Sequence, residues 1–302
     1  MRLQTILFAL DFSEFSRQAL AYGVGLARRF NALLYVLHAL PQGDDFPEAP
    51  VPAPDRTREL KAEEASETIF QWMRRYSVPW EAVVARGLPA EAIVRTAERN
   101  NVDLVVTASY GFSTWKRWLL GSVVEQLFSR LHCPLWVVRP PPFAAALGDG
   151  PLRFRRILAG CNLKEEQGSK KSPVLLAGRL ARAFRADLHL VHCAEHPLDE
   201  EGEEEGPYES VQRSHMEKWR RELKELAPAD SLPKGKIELV VLQGVPAEEL
   251  PRYAARMRAD LTVVGAPPHR ELQKKLAGST TRAMLRSSPC PVLVAPPERA
   301  LP

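Results

Sequence analysis

The sequence predicts an α/β fold of two tandem, doubly wound domains, each built on a five-stranded parallel sheet. Short continuous apolar runs, such as Thr5–Leu10, are typical of strands buried on both faces of a parallel sheet. These runs alternate with segments of helical periodicity, and this alternation is the pattern of βαβ units. The whole pattern repeats in the second half of the 302-residue chain, whose length suits two domains of about 150 residues each.

The first half illustrates how the elements are predicted. Asp11 follows the first strand and leads into a helix, whereas five prolines between Pro41 and Pro54 predict a loop. Pro89 suits the first turn of a helix that ends near Asn100. The predicted elements are, in order, a strand at 5–10, a helix at 16–30, a strand at 32–38, a helix at 59–76, a strand at 80–85, a helix at 89–100, and a strand, a turn-rich loop, a helix opening at Gly121-Ser122 and a last strand within 103–138.

An internal repeat divides the chain. The segment 157–162 echoes 6–11, the segment 186–193 echoes the second strand, and GVPAEEL at 244–250 echoes GLPAEAI at 87–93. The offset between matching positions grows from 151 to 157 and then stays at 157 to the last strand. Matching segments in the same order, with an offset that changes only by small insertions, indicate a duplicated domain. We expect a first domain at 1–141, a linker at 142–152 that follows three consecutive prolines, and a second domain at 153–302.

Composition and charge exclude several classes of function. Up to Pro142 the chain has 16 Lys+Arg against 15 Asp+Glu, and the remainder has 25 against 22, so neither half has the basic excess that nucleic-acid binding requires. Four dispersed cysteines without a CxxC motif do not form a secreted disulfide framework. No apolar stretch approaches the roughly 18 residues of a membrane span, and no signal peptide is recognisable. We expect a cytoplasmic protein that contacts neither nucleic acid nor membrane.

The motifs that carry chemistry lie at the ends of predicted strands. Asp11 follows the first strand, and Ala108-Ser109-Tyr110-Gly111 is separated by nine residues from Gly121-Ser122. A strand that runs through a glycine loop to a helix N-terminus is a common anion-binding geometry, because free backbone N–H groups converge there. With the CPLWVV and CPVLV endings and the two G-x-P-A-E segments, these residues resemble the universal stress protein family, and the resemblance covers essentially the whole chain as a tandem pair of Rossmann-like domains.

The resemblance implies that ATP binds at the carboxyl ends of the strands, with or without Mg²⁺. Asp11 would lie near the adenosine, and the backbone at Ala39 would meet the edge of the adenine. The loop from Ala108 to Gly111, together with Gly121 and Ser122, would hold the phosphates. Ala108 stands where the family motif has its first glycine, and an alanine there costs on the order of 1 kcal/mol if the position requires positive φ.

The second half departs further from the motif. Asn162 replaces the aspartate, and Pro268, which has no N–H to offer a phosphate, replaces the second glycine. Gly265, Gly278 and Ser279 remain, so a weaker second nucleotide site is expected there. Six carboxylates in the run 199–205 would also oppose a polyphosphate in that half.

Several features have a simpler structural interpretation beside the functional one. Gly121-Ser122 and Gly278-Ser279 also suit plain helix caps, and this interpretation is favoured for the second pair. Lys116 and Arg117 either reach phosphate oxygens or are solvated. Cys161 and Cys193 end neighbouring strands in the second half only, and we interpret them as ordinary small residues rather than as a metal or redox site.

Three hypotheses about function follow. The first is an ATP-binding regulatory or stress-response module that binds nucleotide mainly in its first domain. The second is an interaction scaffold with vestigial pockets and an unidentified protein partner. The third, a slow ATPase, ranks lower because no GxSxG, HExxH or Walker motif occurs, and no catalytic residue and no metal ligand are assigned. Since final strands pair across dimers in the family, the two halves are expected to form a pseudo-dimer within one chain, and a homodimer is an alternative.

Overall fold

The computed structural model describes residues 3–40, 55–109, 122–139, 151–163, 172–194, 208–227, 236–266 and 279–296. The chain divides into two compact units, Arg2–Leu152 and Arg153–Pro302. None of the described helices is both long enough and apolar enough to cross a membrane.

The first unit is a doubly wound sheet of five parallel strands in the order β3-β2-β1-β4-β5. Its elements are β1 (Thr5–Leu10), α1 (Glu14–Phe30), β2 (Leu33–Leu40), α2 (Asp55–Met73), β3 (Trp80–Arg86), α3 (Pro89–Arg99), β4 (Leu104–Ala108), α4 (Ser122–Arg130) and β5 (Leu135–Val138). With right-handed crossovers, this order puts α1 and α2 on one face of the sheet and α3 and α4 on the other.

The second unit repeats the topology, with the order β8-β7-β6-β9-β10 and parallel pairing throughout. Its elements are β6 (Arg156–Gly160), α5 (Pro173–Phe184), β7 (Asp187–Ala194), α6 (Tyr208–Leu226), β8 (Ile237–Gln243), α7 (Pro246–Arg256), β9 (Leu261–Gly265), α8 (Ser279–Ser287) and β10 (Val292–Ala295). The predicted fold class, two tandem doubly wound domains with five-stranded parallel sheets, is confirmed.

The central strands form the core because helices cover both faces of each sheet. Ile6, Leu7 and Phe8 of β1 are fully buried, as continuous apolar strands in a parallel sheet should be. The first strand coincides with its predicted bounds, and α4 begins at Ser122 as the sequence indicates. The helix expected at 59–76 begins earlier, at Asp55, and ends at Met73.

A carboxylate fixes the start of the central strand in each unit. The Asp103 Oδ2 atom accepts hydrogen bonds from the backbone N–H groups of Gln4, at 2.7 Å, and Thr5, at 3.0 Å. In the second unit the Asp260 Oδ2 atom accepts from the backbone N–H groups of Arg155, at 2.7 Å, and Arg156, at 2.9 Å. Each carboxylate therefore joins the beginning of β4 or β9 to the beginning of the neighbouring strand.

Replacing this carboxylate tests its contribution to stability. We expect Asp103→Ala to lower the free energy of unfolding by about 1–3 kcal/mol, because two strand N–H groups lose a charged acceptor. Asp260→Ala should act in the same way on the second unit. Urea unfolding followed by circular dichroism measures both, and Glu98→Ala, at an exposed position of α3, is the control with a change below about 0.5 kcal/mol. Equal stability of Asp103→Ala and the control would contradict this role.

Candidate functional site

The candidate site of the first unit lies where the strand order reverses. From β1 the chain continues to β2 on one side, whereas β4 pairs with β1 on the other, and ligands of such sheets bind at the carboxyl ends of the strands at this point. Ala9 pairs with Thr107, so Asp11 and Ala108 end neighbouring strands at the same edge. Ser122 is the first residue of α4. The predicted residues Gly111, Gly121 and Gly278, the cations Lys116 and Arg117, and the acidic run 199–205 lie outside the described residues.

Asp11 organises the turn between β1 and α1. Its Oδ1 atom accepts hydrogen bonds from the Ser13 N–H, at 3.0 Å, and from the Ser13 hydroxyl, at 2.6 Å. Ser13 is the N-cap of α1, and its hydroxyl oxygen accepts from the Ser16 N–H at 3.2 Å. The carboxylate is thus held at the strand end by the helix cap, in a part-buried position.

An aromatic cluster of Phe12, His38 and Trp72 adjoins Asp11, and sequence reasoning missed it. Phe12 has a φ of 61°, in the left-handed region that non-glycine residues rarely adopt. Its ring lies 4.3 Å from the His38 ring and 5.6 Å, edge-on, from the Trp72 ring, measured between centroids. The aromatic residue directly after Asp11 was the available signal, but the contact with Trp72 depends on where α2 packs.

His38 is held as a neutral donor beside this cluster. Its Nδ1 atom lies 3.1 Å from the Leu10 carbonyl oxygen, and since that oxygen can only accept, Nδ1 carries the proton. Burial lowers the pKa of His38 from its ordinary value, and the hydrogen bond to Leu10 and the charge of Asp11 oppose that change. The imidazole therefore favours its uncharged form.

Ala39 directs its backbone groups toward the same edge. The Leu33 N–H donates to the Gln4 carbonyl at 2.8 Å, so the backbone N–H and C=O groups of the odd-numbered residues of β2 point toward β1. Ala39 shares this parity and comes one residue after the pairing of Leu10 with His38. Its carbonyl therefore points past the last residue of β1.

Ala108 occupies the end of β4 without backbone strain. The five non-glycine residues with positive φ in the described part of the chain do not include it. Ala108 lines a water-sized cavity together with Ala19 of α1, and this small neighbour leaves room for its methyl group. The first glycine of the family motif is therefore not required here for its conformation.

Ser109 follows Ala108 in the predicted phosphate loop, but sequence reasoning assigned it no individual role. Its side chain is 1% exposed, and its hydroxyl oxygen has no hydrogen-bond partner among the described residues. The Gln18 Oε1 atom, which lines the same water-sized cavity, also lacks one. Both residues line the same cavity, whose volume of about 10 Å³ corresponds to a single water molecule. A serine at a strand end gives no sequence signal for such an arrangement.

Two contacts distinguish the described part of the corresponding region in the second unit. A Cβ on Gly265 would lie 3.3 Å from the Pro173 Cγ atom, so the glycine makes room for the proline, although its φ is not positive. The Thr281 hydroxyl donates to the Gly265 carbonyl at 2.6 Å and ties α8 to the end of β9. The first unit has Ala19 at the position of Pro173 and the apolar Val124 at that of Thr281. Ser279 begins α8, as predicted for a helix start.

The cysteines of the second unit are buried thiols. The Cys161 Sγ atom donates to the Val191 carbonyl at 3.4 Å, and Cys193 is 9% exposed. The His192 Nδ1 atom lies 3.2 Å from the Cys161 carbonyl oxygen. Within the described ranges, no three His, Cys, Asp or Glu side chains are grouped so that they could hold a metal ion.

The lowered pKa of His38 predicts a pH-dependent stability. The unfolded chain binds a proton near pH 6.5 and the folded chain only at lower pH, so the free energy of unfolding should fall as the pH drops below about 6.5. In His38→Gln this part of the decrease should disappear, as measured by urea unfolding at pH 7.5 and 5.5. An unchanged difference between the two pH values would show that His38 does not contribute.

Comparisons with known proteins agree with this architecture. The model of the universal stress protein family matches residues 2–139 and 153–296. A universal stress protein of Methanocaldococcus jannaschii is 30% identical over 142 residues, which are 45% of this chain and 82% of the relative. A solved universal stress protein from Archaeoglobus fulgidus has a TM-score of 0.70 at 18% identity, covering 99% of this chain and 100% of that chain.

A third comparison concerns a single domain. A universal stress protein solved in complex with cAMP is 26% identical, with a TM-score of 0.34, and covers 47% of this chain and 100% of that one. The family model, by contrast, matches nearly the whole sequence in two consecutive copies. The chain belongs to the universal stress protein family and carries two of its domains in tandem.

Proposed function

We propose that this protein is an ATP-binding regulatory or stress-response module whose nucleotide site lies in the first unit. The observation that carries the proposal is the unstrained Ala108 at the end of β4. Ala108 is where the first unit departs from the family motif, which has a glycine there. Because this position does not need a glycine's conformation, the departure is no argument against nucleotide binding by the first unit.

The described residues supply groups suited to the nucleotide. The Ala39 carbonyl, directed past the end of β1, can accept a hydrogen bond from the adenine amino group. The Asp11 carboxylate is held at the same edge and suits a ribose hydroxyl. The rings of Phe12, His38 and Trp72 provide an apolar wall beside it. Each group is a proposed contact.

The phosphates would lie at the N-terminus of α4. Ser122 begins this helix and is exposed, so its hydroxyl and the free N–H groups of the first turn are accessible to an anion. Gly111 and Gly121 complete the motif in the sequence. Mg²⁺, where present, would be held chiefly by the phosphates, because no described cluster of carboxylates is suited to it.

The second unit supports a different role. Pro173 packs on Gly265, and Thr281 bonds the Gly265 carbonyl, where the first unit keeps smaller or apolar side chains. We therefore assign the nucleotide to the first unit and propose that the second unit serves as a partner surface. If the first unit also fails to bind nucleotide, the whole chain is an interaction scaffold.

Titration with ATP tests the assignment. We expect one ATP per chain by calorimetry, and Ser122→Ala should weaken binding about tenfold because a hydroxyl donor to phosphate is lost. Gly121→Val should abolish binding, since a side chain would enter the path of the phosphates. Ser279→Ala and Gly278→Val are the matched changes in the second unit and should leave the affinity unchanged.

Two outcomes would redirect the proposal. If ATP gives no heat and no nucleotide is released from the denatured protein, the chain is a scaffold. If cAMP binds more tightly than ATP and Ser122→Ala has no effect, the polyphosphate is not the recognised group. Circular dichroism of each variant shows whether the fold is intact.

Restoring the motif's glycine tests the role of Ala108. Because this residue is unstrained, Ala108→Gly should change the ATP affinity by less than about twofold and should lower the free energy of unfolding by about 0.5–1 kcal/mol. Calorimetry and urea unfolding measure the two effects. A large gain in affinity would mean that the alanine methyl group obstructs the phosphate loop.

A further inference from the structure

A groove between α3 and β3 has the features of a second ligand site. Its volume is about 250 Å³. Aliphatic side chains of β3 and the buried Ala92 form its floor, and arginines form its rim. The lining residues are Val83, Val84, Ala85, Arg86, Ala92, Arg95, Thr96 and Arg99.

The position of the groove follows from the topology. β3 is at the edge of the order β3-β2-β1-β4-β5, and α3 returns over the inner strands toward β4. The face of β3 on the α3 side is therefore left partly uncovered. Ala85 and Thr96 are only partly buried, and neither is large enough to fill the space between the helix and the strand.

Two guanidinium groups of α3, those of Arg95 and Arg99, line the groove beside this apolar floor. Arg95 is anchored, because its Nη2 atom donates to the Arg86 carbonyl at 2.9 Å and its Nη1 atom lies 3.9 Å from the Glu91 carboxylate. Arg99 is one helical turn further along the same face of α3. Among the described residues, the Arg99 side chain forms no hydrogen bond or ion pair and is exposed, so it is available to an anion. Arg86 contributes its carbonyl to the groove, whereas alternation along β3 places its side chain on the face of Trp80, which contacts Phe70 of α2.

The second unit shows the same location in a filled form. At the constant offset of 157, Thr96 corresponds to Tyr253 and Ala85 to Leu242. The Tyr253 hydroxyl lies 2.9 Å from the Nδ1 atom of His189, and the Arg256 guanidinium lies 5.0 Å from the centre of the Tyr253 ring. Tyr253 and Leu242 are thus larger than their counterparts Thr96 and Ala85, and Tyr253 makes an internal contact.

Arg95 and its counterpart in the second unit also differ in their contacts. Arg252, the counterpart of Arg95, is paired with Glu249 at 2.6 Å and with Glu248 at 3.1 Å. Glu249 stands where the first unit has Ala92. Within the described part of the chain, Arg252 therefore has two carboxylate partners where Arg95 has one, whereas Arg256, the counterpart of Arg99, contacts the Tyr253 ring.

We infer that the groove lined by Val83, Ala85, Ala92, Thr96 and Arg99 binds a small organic anion, a phosphate or carboxylate attached to an apolar body. The floor contributes apolar contact, and the guanidinium of Arg99 contributes charge-assisted hydrogen bonds to the anionic group. The volume is just below the roughly 300–1,000 Å³ of pockets for drug-sized ligands, which favours a compact molecule over a peptide segment. This inference does not depend on the ATP site.

Phenyl phosphate is a suitable probe, because it joins a planar apolar body to a dianion. Titrated into the ¹⁵N-labelled full chain, it should cause saturable amide shifts in Val83–Arg86 and along α3. Arg99→Gln should weaken this binding about tenfold by removing one charged donor. Thr96→Tyr, which copies the second unit, should fill the groove and remove the shifts.

The controls separate this site from other sources of binding. Arg256→Gln makes the matched change in the second unit and should leave the shifts in β3 and α3 unaltered, as should Ser122→Ala at the proposed nucleotide site. Inorganic phosphate and benzyl alcohol should each bind at least about tenfold more weakly than phenyl phosphate, because each lacks one half of the recognised ligand. Circular dichroism melts establish that the variants remain folded.

Three results would overturn the inference. One is a set of shifts confined to residues outside β3 and α3. Another is equal binding of inorganic phosphate, which would mean that the apolar floor takes no part. The third is displacement of phenyl phosphate by hexaglutamate at lower concentration, which would assign the groove to an acidic protein segment.

Discussion

The register of β1 against β4 is the constraint on which the first unit's candidate site depends. Asp103, at the start of β4, accepts the N–H groups of Gln4 and Thr5 and so aligns the beginnings of the two strands. Ile6 then pairs with Leu104, and each following pair is set by the ladder. A slip of one residue would move Asp11 away from Ala108 and would also turn the buried side chains of β1 to the other face. The carboxylate at one end of the strand thus controls the geometry at the other end.

Much of the fold could be predicted because burial on both faces leaves a direct trace in the sequence. A strand such as Thr5–Leu10 must be continuously apolar, and it coincides with the observed β1. The beginning of α2 was harder to predict, since its N-terminal part is charged and lacks a clear apolar period; the helix already begins at Asp55. The two copies of the repeat made the topology readable, because each copy supported the interpretation of the other.

The candidate site was only partly predictable. Asp11, Ala39 and Ala108 follow from their positions at strand ends and from the family motif. The left-handed conformation of Phe12 and its contact with Trp72 were not predictable, because they depend on the packing of α2 over the sheet. The space for the methyl group of Ala108 likewise depends on a residue far away in sequence, Ala19 of α1. Local patterns identify which residues reach an edge, but the neighbours of each residue are set by tertiary packing.

The differences between the two units follow a common physical rule. Where the first unit has Ala19 and Val124, the second has Pro173 and Thr281. Pro173 packs beside Gly265 at the end of β9, and the Thr281 hydroxyl donates to the carbonyl of the same glycine. In the groove at the edge strand, Tyr253 replaces a threonine and contacts His189.

At both places the second unit uses side chains for internal contacts where the first leaves space and unpaired polar groups. Buried polar groups without a partner among the described residues, such as the Ser109 hydroxyl, and open apolar surfaces cost stability unless a ligand covers them. Their presence in the first unit is the physical reason for proposing that this unit, rather than the second, binds ligands.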